Sequence, residues 1–139
     1  MESVSVRIDV LRTALDRLDE SLSLVNDPSA LRYHTQIRDS VIQRLEFSVD
    51  IFWKCLKEHL EKKHGVIIAS PKGVFRECLA QQIVNAQEFA TLIAMIEDRN
   101  ETSHRYDEVM AKRIVQSAFG YRDIMLEVVE RIGGDHDAH

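Results

Sequence analysis

A heptad-like seam of apolar residues near the N-terminus constrains the fold more than any other feature of the chain. Its spacing alternates between four and three residues for three heptads, through Val4, Ile8, Leu11, Leu15, Leu18, Leu22 and Val25. This spacing places the apolar side chains along one side of an α-helix, which must then pack along its whole length. The chain is therefore predicted to form a helical bundle.

Four further segments carry apolar residues at helical spacing, and none has the alternation of a β-strand. Pro28 is expected to end the first helix, Gly65 is a typical helix stop, and Ser70-Pro71 is typical of a helix start. The four segments run from Ser29 or Leu31 to His64, from Ser70 to about Gln82, from about Asn85 onward, and from Tyr106 or Asp107 to Ile132. The prediction is an all-α, five-helix up-and-down bundle over residues 1–132, followed by a disordered C-terminal tail over residues 133–139.

Composition and charge restrict the class of protein. With 139 residues, 45% of them hydrophobic and 29% charged, the chain is expected to form one globular domain. Its net charge of −5 argues against broad, non-specific nucleic-acid binding, so any RNA contact is expected to be local. No segment resembles a signal peptide or approaches the length of a membrane span, which favours a cytoplasmic protein. Cys55 and Cys78 are expected to be buried thiols.

One short run concentrates the side chains that could perform chemistry: Arg99-Asn100-Glu101-Thr102-Ser103-His104-Arg105-Tyr106. Arginine suits phosphate geometry and histidine can move a proton near neutral pH, which favours RNA phosphodiester cleavage or nucleotide phosphate binding. In an unbroken helix, Arg99 and His104 would lie about 140° apart around the axis. They could share one phosphate only if the helix broke at Thr102 or Ser103, or if a symmetry-related chain completed the site.

A purely structural interpretation of the same run is also open. Arginine and histidine near a helix junction often form a cap and a surface salt bridge. Acidic partners for them are available nearby in the sequence, namely Glu97, Asp98, Glu101 and Asp107. Asn100 and His104 are four residues apart and could hydrogen-bond to each other directly.

Other polar residues give weaker indications. The spacing of Glu61-x-x-His64 and Glu101-x-x-His104 occurs in di-iron bundles, but no inward-facing glutamates accompany them, so no metal site is predicted. Lys54 beside Trp53 is more simply a surface residue next to a core anchor than a phosphate ligand. The other histidines are expected to face solvent, and they are His34, His59, His136 and His139.

The arrangement Arg-polar-x-x-x-His at residues 99–104 resembles the signature of the HEPN superfamily of helical nucleotide-binding and RNase domains. Continued to Tyr106, it is similar to the R-x4-H-x-Y form of the HepT-type branch, whose members are also described as nucleotidyltransferase substrate-binding proteins. Further similarity to this branch lies in residues 47–54, 70–77 and 98–108. The resemblance covers most of residues 5–132.

The resemblance implies a two-fold homodimer of five-helix bundles, with the motifs of both chains facing a shared cleft. It implies a metal-independent endoribonuclease toxin that needs no cofactor, paired with a small nucleotidyltransferase antitoxin that adds AMP to Tyr106. By position, His104 would be the general acid and base, Arg99 would stabilise charge on the phosphorane, and Asn100 would orient His104 or the phosphate. Arg105 departs from the family pattern and would strengthen the attraction of phosphate.

The alternative function is a non-catalytic dimer that binds a nucleotide, or that serves as the substrate-binding partner subunit of the nucleotidyltransferase. The acidity of the chain favours this alternative. The intact set of Arg99, Asn100, His104 and Tyr106 favours the toxin.

Overall fold

Five α-helices joined by short connections make up the protein, as seen in a computed structural model. The structure describes the backbone of residues 4–104 and 107–137 and the side chains of residues 7–102 and 107–133. The helices are α1 (Val4–Val25), α2 (His34–His59), α3 (Pro71–Ala80), α4 (Ala86–His104) and α5 (Glu108–Asp137). The described residues contain no β-strand, and the predicted all-α, five-helix up-and-down bundle is confirmed. Among these helices, none has the combination of length and apolar character needed to cross a membrane.

The core lies where α1, α2 and α5 pack against one another. The seam of α1 is buried as its spacing predicts, since Leu11 and Leu18 are completely inaccessible to solvent. Phe52 of α2 and Phe75 of α3 are also fully buried, and their ring centroids lie 6.1 Å apart. This aromatic pair joins the short third helix to the main core.

The boundaries of α2 differ in part from the prediction. Pro28–Tyr33 forms a 3₁₀ turn, so α2 begins at His34, later than the predicted start at Ser29 or Leu31. Asp27 stabilises the turn by accepting a hydrogen bond of 2.9 Å from the backbone N–H of Ser29. At the other end, Leu60–His64 forms a π-helical turn, and Gly65 ends it with a left-handed φ of 67°, as predicted.

Two caps define the starts of α3 and α4. Ser70 accepts a hydrogen bond of 3.2 Å from Gly73 N–H, with proline at the first helical position, as predicted. Before α4, Asn85 Oδ1 accepts a hydrogen bond from Glu88 N–H, while Glu88 Oε1 accepts one from Asn85 N–H. Each cap satisfies a backbone N–H that has no partner within its own helix.

Helix α5 extends to Asp137, although Gly133-Gly134 predicts an end at Ile132. Gly133 is buried, and a Cβ atom there would lie only 3.3 Å from Arg12 Nη2 of α1. Glycine therefore allows a close approach of α1 and does not end the helix. The predicted helix end is too early, and the last two residues of the predicted tail lie outside the described residues.

The prediction that His59 faces solvent is wrong. Only 2% of its surface is accessible, at the last residue of α2, where Leu56 before it and Leu60 after it are also buried. Its ring lies 5.7 Å from that of His64, in an edge-on arrangement. His136 and His139 lie outside the described side chains.

Both cysteines are buried free thiols, as predicted. Burial raises the pKa of Cys55 and of Cys78 to about 12, because an anionic thiolate is poorly solvated in the core. We expect neither thiol of the native protein to react with 5,5′-dithiobis(2-nitrobenzoate) at pH 8, and both to react at once after unfolding in guanidinium. Rapid release of thionitrobenzoate from the folded protein would contradict this prediction.

Candidate functional site

The C-terminal half of α4 carries the first part of the candidate motif. The helix is continuous from Ala86 to His104, with no break at Thr102 or Ser103. The backbone positions of Arg99 and His104 therefore lie about 140° apart around the helix axis. Of the two routes by which they could share a phosphate, the local break is excluded and the contribution of a second chain remains.

Arg99 is held by two carboxylates of α2. Its Nε and Nη2 atoms donate hydrogen bonds of 3.0 and 3.1 Å to the two oxygens of Asp50, in a bidentate arrangement. Its Nη1 atom donates a longer bond of 3.3 Å to Glu46. Hydrogen bonding to Asp50 is the main cause that raises the pKa of Arg99 above its usual range, so this guanidinium is permanently charged. We call Arg99, Glu46 and Asp50 the arginine clamp.

Thr102 extends the arginine clamp along α4. Its hydroxyl lies 2.5 Å from Glu46 Oε2 and 2.7 Å from the carbonyl oxygen of Arg99. The side chains of the clamp are neither fully buried nor fully exposed: 22% of Arg99, 29% of Glu46 and 43% of Asp50 is accessible. The clamp is thus fixed by internal contacts and still open to a ligand.

Asp98, the residue before Arg99, connects α4 to α5. It is 8% exposed and accepts two hydrogen bonds from Arg113, at 2.8 and 3.1 Å. It also accepts a short bond of 2.5 Å from the hydroxyl of Tyr121. Burial, followed by the bond to Asp98, raises the pKa of Tyr121, which keeps the phenol protonated and able to donate. Neighbouring residues of α4 are therefore fastened to two different helices.

Two of the acids that the sequence offers as local partners of Arg99 pair with other cations in the described part of the chain. Glu97 pairs with Lys72 at 3.2 Å, and Asp98 pairs with Arg113. Asp107 caps α5 by accepting a hydrogen bond of 2.8 Å from Met110 N–H. The partners of Arg99 come instead from α2, which sequence reasoning missed. Glu46 and Asp50 are an acidic pair four residues apart, one just before and one within the stretch 47–54, and this spacing was the available signal.

Of the other predicted site residues, the structure describes only some side chains. Asn100 is exposed on α4. His104 closes α4, but its side chain lies outside the described residues, as do Arg105 and Tyr106 entirely. The predicted hydrogen bond between Asn100 and His104 thus stays a prediction. In the described part of the chain, no three His, Cys, Asp or Glu side chains are grouped to hold a metal ion.

Solved structures share this architecture. A Shewanella oneidensis HEPN toxin, solved tri-AMPylated in complex with an MNT antitoxin, matches with a TM-score of 0.77 at 16% identity, over 96% of this chain and 99% of that one. A toxin–antitoxin solved with AMP-PNP gives a TM-score of 0.75 at 16% identity, over 95% and 99% of the two chains. The fold is therefore that of the HEPN helical domains.

A nearer relative in sequence is a Thermus thermophilus protein of known structure. It is 34% identical, with a TM-score of 0.78, and the match covers 88% of this chain and 98% of that one. A family model described as nucleotidyltransferase substrate binding protein like matches residues 6–132. The chain belongs to this family, which confirms the HepT-type resemblance. A search of curated proteins finds no significant match.

Proposed function

We propose that the protein is the toxin of a nucleotidyltransferase/HEPN pair, a metal-independent endoribonuclease that a cognate nucleotidyltransferase silences by adding AMP to Tyr106. The proposal takes support from the family and from the fold shared with HEPN toxins solved beside their antitoxins. It assigns proton transfer to His104, charge stabilisation to Arg99, orientation of His104 or the phosphate to Asn100, and phosphate attraction to Arg105.

The observation that carries the proposal is the arginine clamp on an unbroken helix. Arg99 is a permanent cation whose guanidinium plane is fixed by Asp50, so it needs no reorganisation to meet a developing negative charge. Since His104 follows on the same helix about 140° away, a complete site needs Arg99 and His104 from facing chains. The functional unit is therefore a homodimer.

Exposed apolar residues beside the motif support such a dimer. Phe47 follows Glu46 on α2 and is 58% exposed. Val109, in the first turn of α5, is 81% exposed. Large apolar side chains on a protein surface favour contact with another protein surface. A second chain that covers this region would bring its own motif towards the first.

The chemistry needs only groups of the chain and of RNA. The ribose 2′-oxygen attacks the adjacent phosphorus as its proton passes to His104, and the P–O bond to the next 5′-oxygen breaks as protonated His104 gives its proton to that oxygen. The products are a 2′,3′-cyclic phosphate and a 5′-hydroxyl. Arg99 stabilises the negative charge on the phosphorane between the two steps.

The alternative, a non-catalytic partner subunit of a nucleotidyltransferase, is favoured by the charge of the arginine clamp. Two carboxylates surround one guanidinium, so the clamp carries a net charge of −1. Such a site repels a polyanion such as RNA more than a bare arginine would. A binding module needs no proton transfer, so His104 would then be dispensable.

The two functions are separated by RNA cleavage with purified, unmodified protein in excess EDTA. We expect wild type to cleave single-stranded RNA to 2′,3′-cyclic phosphate ends, and His104→Ala to lose at least about 100-fold in rate. His64→Ala, which removes an exposed histidine after the end of α2, is the matched control and should cleave as wild type does. Absence of cleavage by a wild-type dimer would reject the nuclease in favour of the binding module.

A further inference from the structure

A cavity of about 270 Å³ lies between the start of α2 and α5, and the proposed nuclease chemistry makes no use of it. Its walls come from the end of α1, the 3₁₀ turn, the start of α2 and the second and third turns of α5. The lining is largely aliphatic, with Leu24, Ala30, Ile37 and Val115 among its side chains. An apolar concave surface of this size suits a short hydrocarbon chain or a single ring.

Arg38 gives the cavity a positive end. Only 15% of its side chain is accessible. Its Nε and Nη1 atoms are buried, yet they have no hydrogen-bond acceptor among the residues that the structure describes. Buried guanidinium nitrogens without a hydrogen-bond acceptor are unusual, because they lose their hydration without compensation. These two nitrogens are therefore able to donate to an acceptor that a bound molecule supplies.

The charges around Arg38 indicate that the acceptor should be negatively charged. Lys112 of α5 lines the same cavity, so two basic side chains share it. Glu108 Oε1 lies 3.7 Å from Arg38 Nη1 and 3.7 Å from Lys112 Nζ, which is too long for a hydrogen bond in either case. Glu108 is 66% exposed and therefore free to turn into solvent. If Glu108 turned away, both cations could pair with the carboxylate of a bound molecule.

We propose that this cavity binds a small amphiphilic monocarboxylate. Its apolar chain would lie against Ile37 and Val115, and its carboxylate would accept hydrogen bonds from Arg38 and Lys112. A neutral chain would leave Arg38 unsatisfied, and a bare phosphate would leave the aliphatic walls exposed to water. This site does not depend on the proposed nuclease, since none of its lining residues belongs to the arginine clamp or to residues 99–106.

Isothermal titration of the purified protein with octanoate tests the proposal, and octanol serves as the neutral probe of equal chain length. We expect octanoate to bind at least about tenfold more tightly than octanol, and Arg38→Met to remove that difference by weakening octanoate alone. Glu108→Gln should strengthen octanoate binding severalfold, because it removes the competing carboxylate. Equal affinity for octanoate and octanol, or no binding of octanoate, would overturn the proposal.

The matched control is Arg32→Met, which removes a cation from the neighbouring 3₁₀ turn. Arg32 is exposed and lies over the Tyr33 ring, outside the cavity. Octanoate should bind Arg32→Met as it binds wild type. Circular dichroism of each variant establishes that it is folded, and the opposite effects expected for Arg38→Met and Glu108→Gln distinguish ligand recognition from a loss of structure. If both variants weakened binding equally, the assigned carboxylate position would be wrong.

Discussion

Arg99→Ala is expected to lower the rate of RNA cleavage at least about 100-fold and to abolish growth inhibition on expression, while the helical fold is retained. The physical reason is that alanine removes the cation of the arginine clamp and leaves Glu46 and Asp50 to repel the phosphorane. Cleavage of a fluorescently labelled RNA in EDTA measures the loss of activity. Circular dichroism measures the retention of the fold.

Arg131→Ala is the matched control for this variant. Arg131 also makes a bidentate pair, with Glu88 Oε1 and Oε2 at 3.2 and 3.0 Å, and it too is partly exposed. Because Glu88 precedes Arg99 by 11 residues on α4, this pair lies about 16 Å along the helix from the clamp. Arg131→Ala should lower the free energy of unfolding about as much as Arg99→Ala does, and it should leave the rate of RNA cleavage unchanged. If Arg99→Ala cleaved RNA at the control's rate, Arg99 would have no catalytic role.

Asp98→Ala is expected to give the largest loss of stability near the motif, about 2–3 kcal/mol in the free energy of unfolding. The substitution leaves the buried Tyr121 hydroxyl without its acceptor, whereas Arg113 is 53% exposed and can turn to water. For a chain of 139 residues, this loss corresponds to a fall of about 10 °C in the thermal midpoint. Guanidinium unfolding and thermal melts, both followed by circular dichroism, give the two quantities.

A double-mutant cycle with Tyr121→Phe isolates the hydrogen bond to Asp98. Tyr121→Phe alone should cost about 1 kcal/mol, because it removes the hydroxyl and keeps the ring in the core. In that background, Asp98→Ala should cost clearly less than it does in wild type, since no buried phenol is then left unsatisfied. Strictly additive effects of the two substitutions would mean that the bond contributes nothing to stability.

The sequence predicts the helices well because their signals are local. The seam of α1 depends on spacing alone. The stop at Gly65 depends on a left-handed backbone that few residues adopt, and the start at Ser70 depends on its side-chain cap and the proline that follows. The start of α2 is less predictable, since Pro28–Tyr33 could continue into a helix or, as it does, tighten into a 3₁₀ turn under the cap of Asp27. Gly133 gives a wrong prediction of a helix end for a related reason. It allows α1 to approach closely, and no local pattern in the sequence reveals this contact.

Only the part of the candidate site that lies in residues 99–106 could be predicted from the sequence. Arg99 is singled out by its neighbours in sequence, but its partners Asp50 and Glu46 lie 49 and 53 residues away. The nearer acids Glu97 and Asp98 are equally plausible in sequence, and they bind other cations in the fold. Which acid pairs with Arg99 depends on how α2 and α4 pack against each other. The spacing of residues within α4 does not predict this tertiary packing.

The adjacent anchors Asp98 and Arg99 restrict how the end of α4 can move. Consecutive residues point about 100° apart around a helix axis, and these two are bonded to α5 and to α2 respectively. Rotation of α4 in either sense stretches one of the two attachments, so torsional freedom at this end is small. Turning α4 at this end would therefore require breaking either the pair of Asp98 with Arg113 or the pair of Arg99 with Asp50.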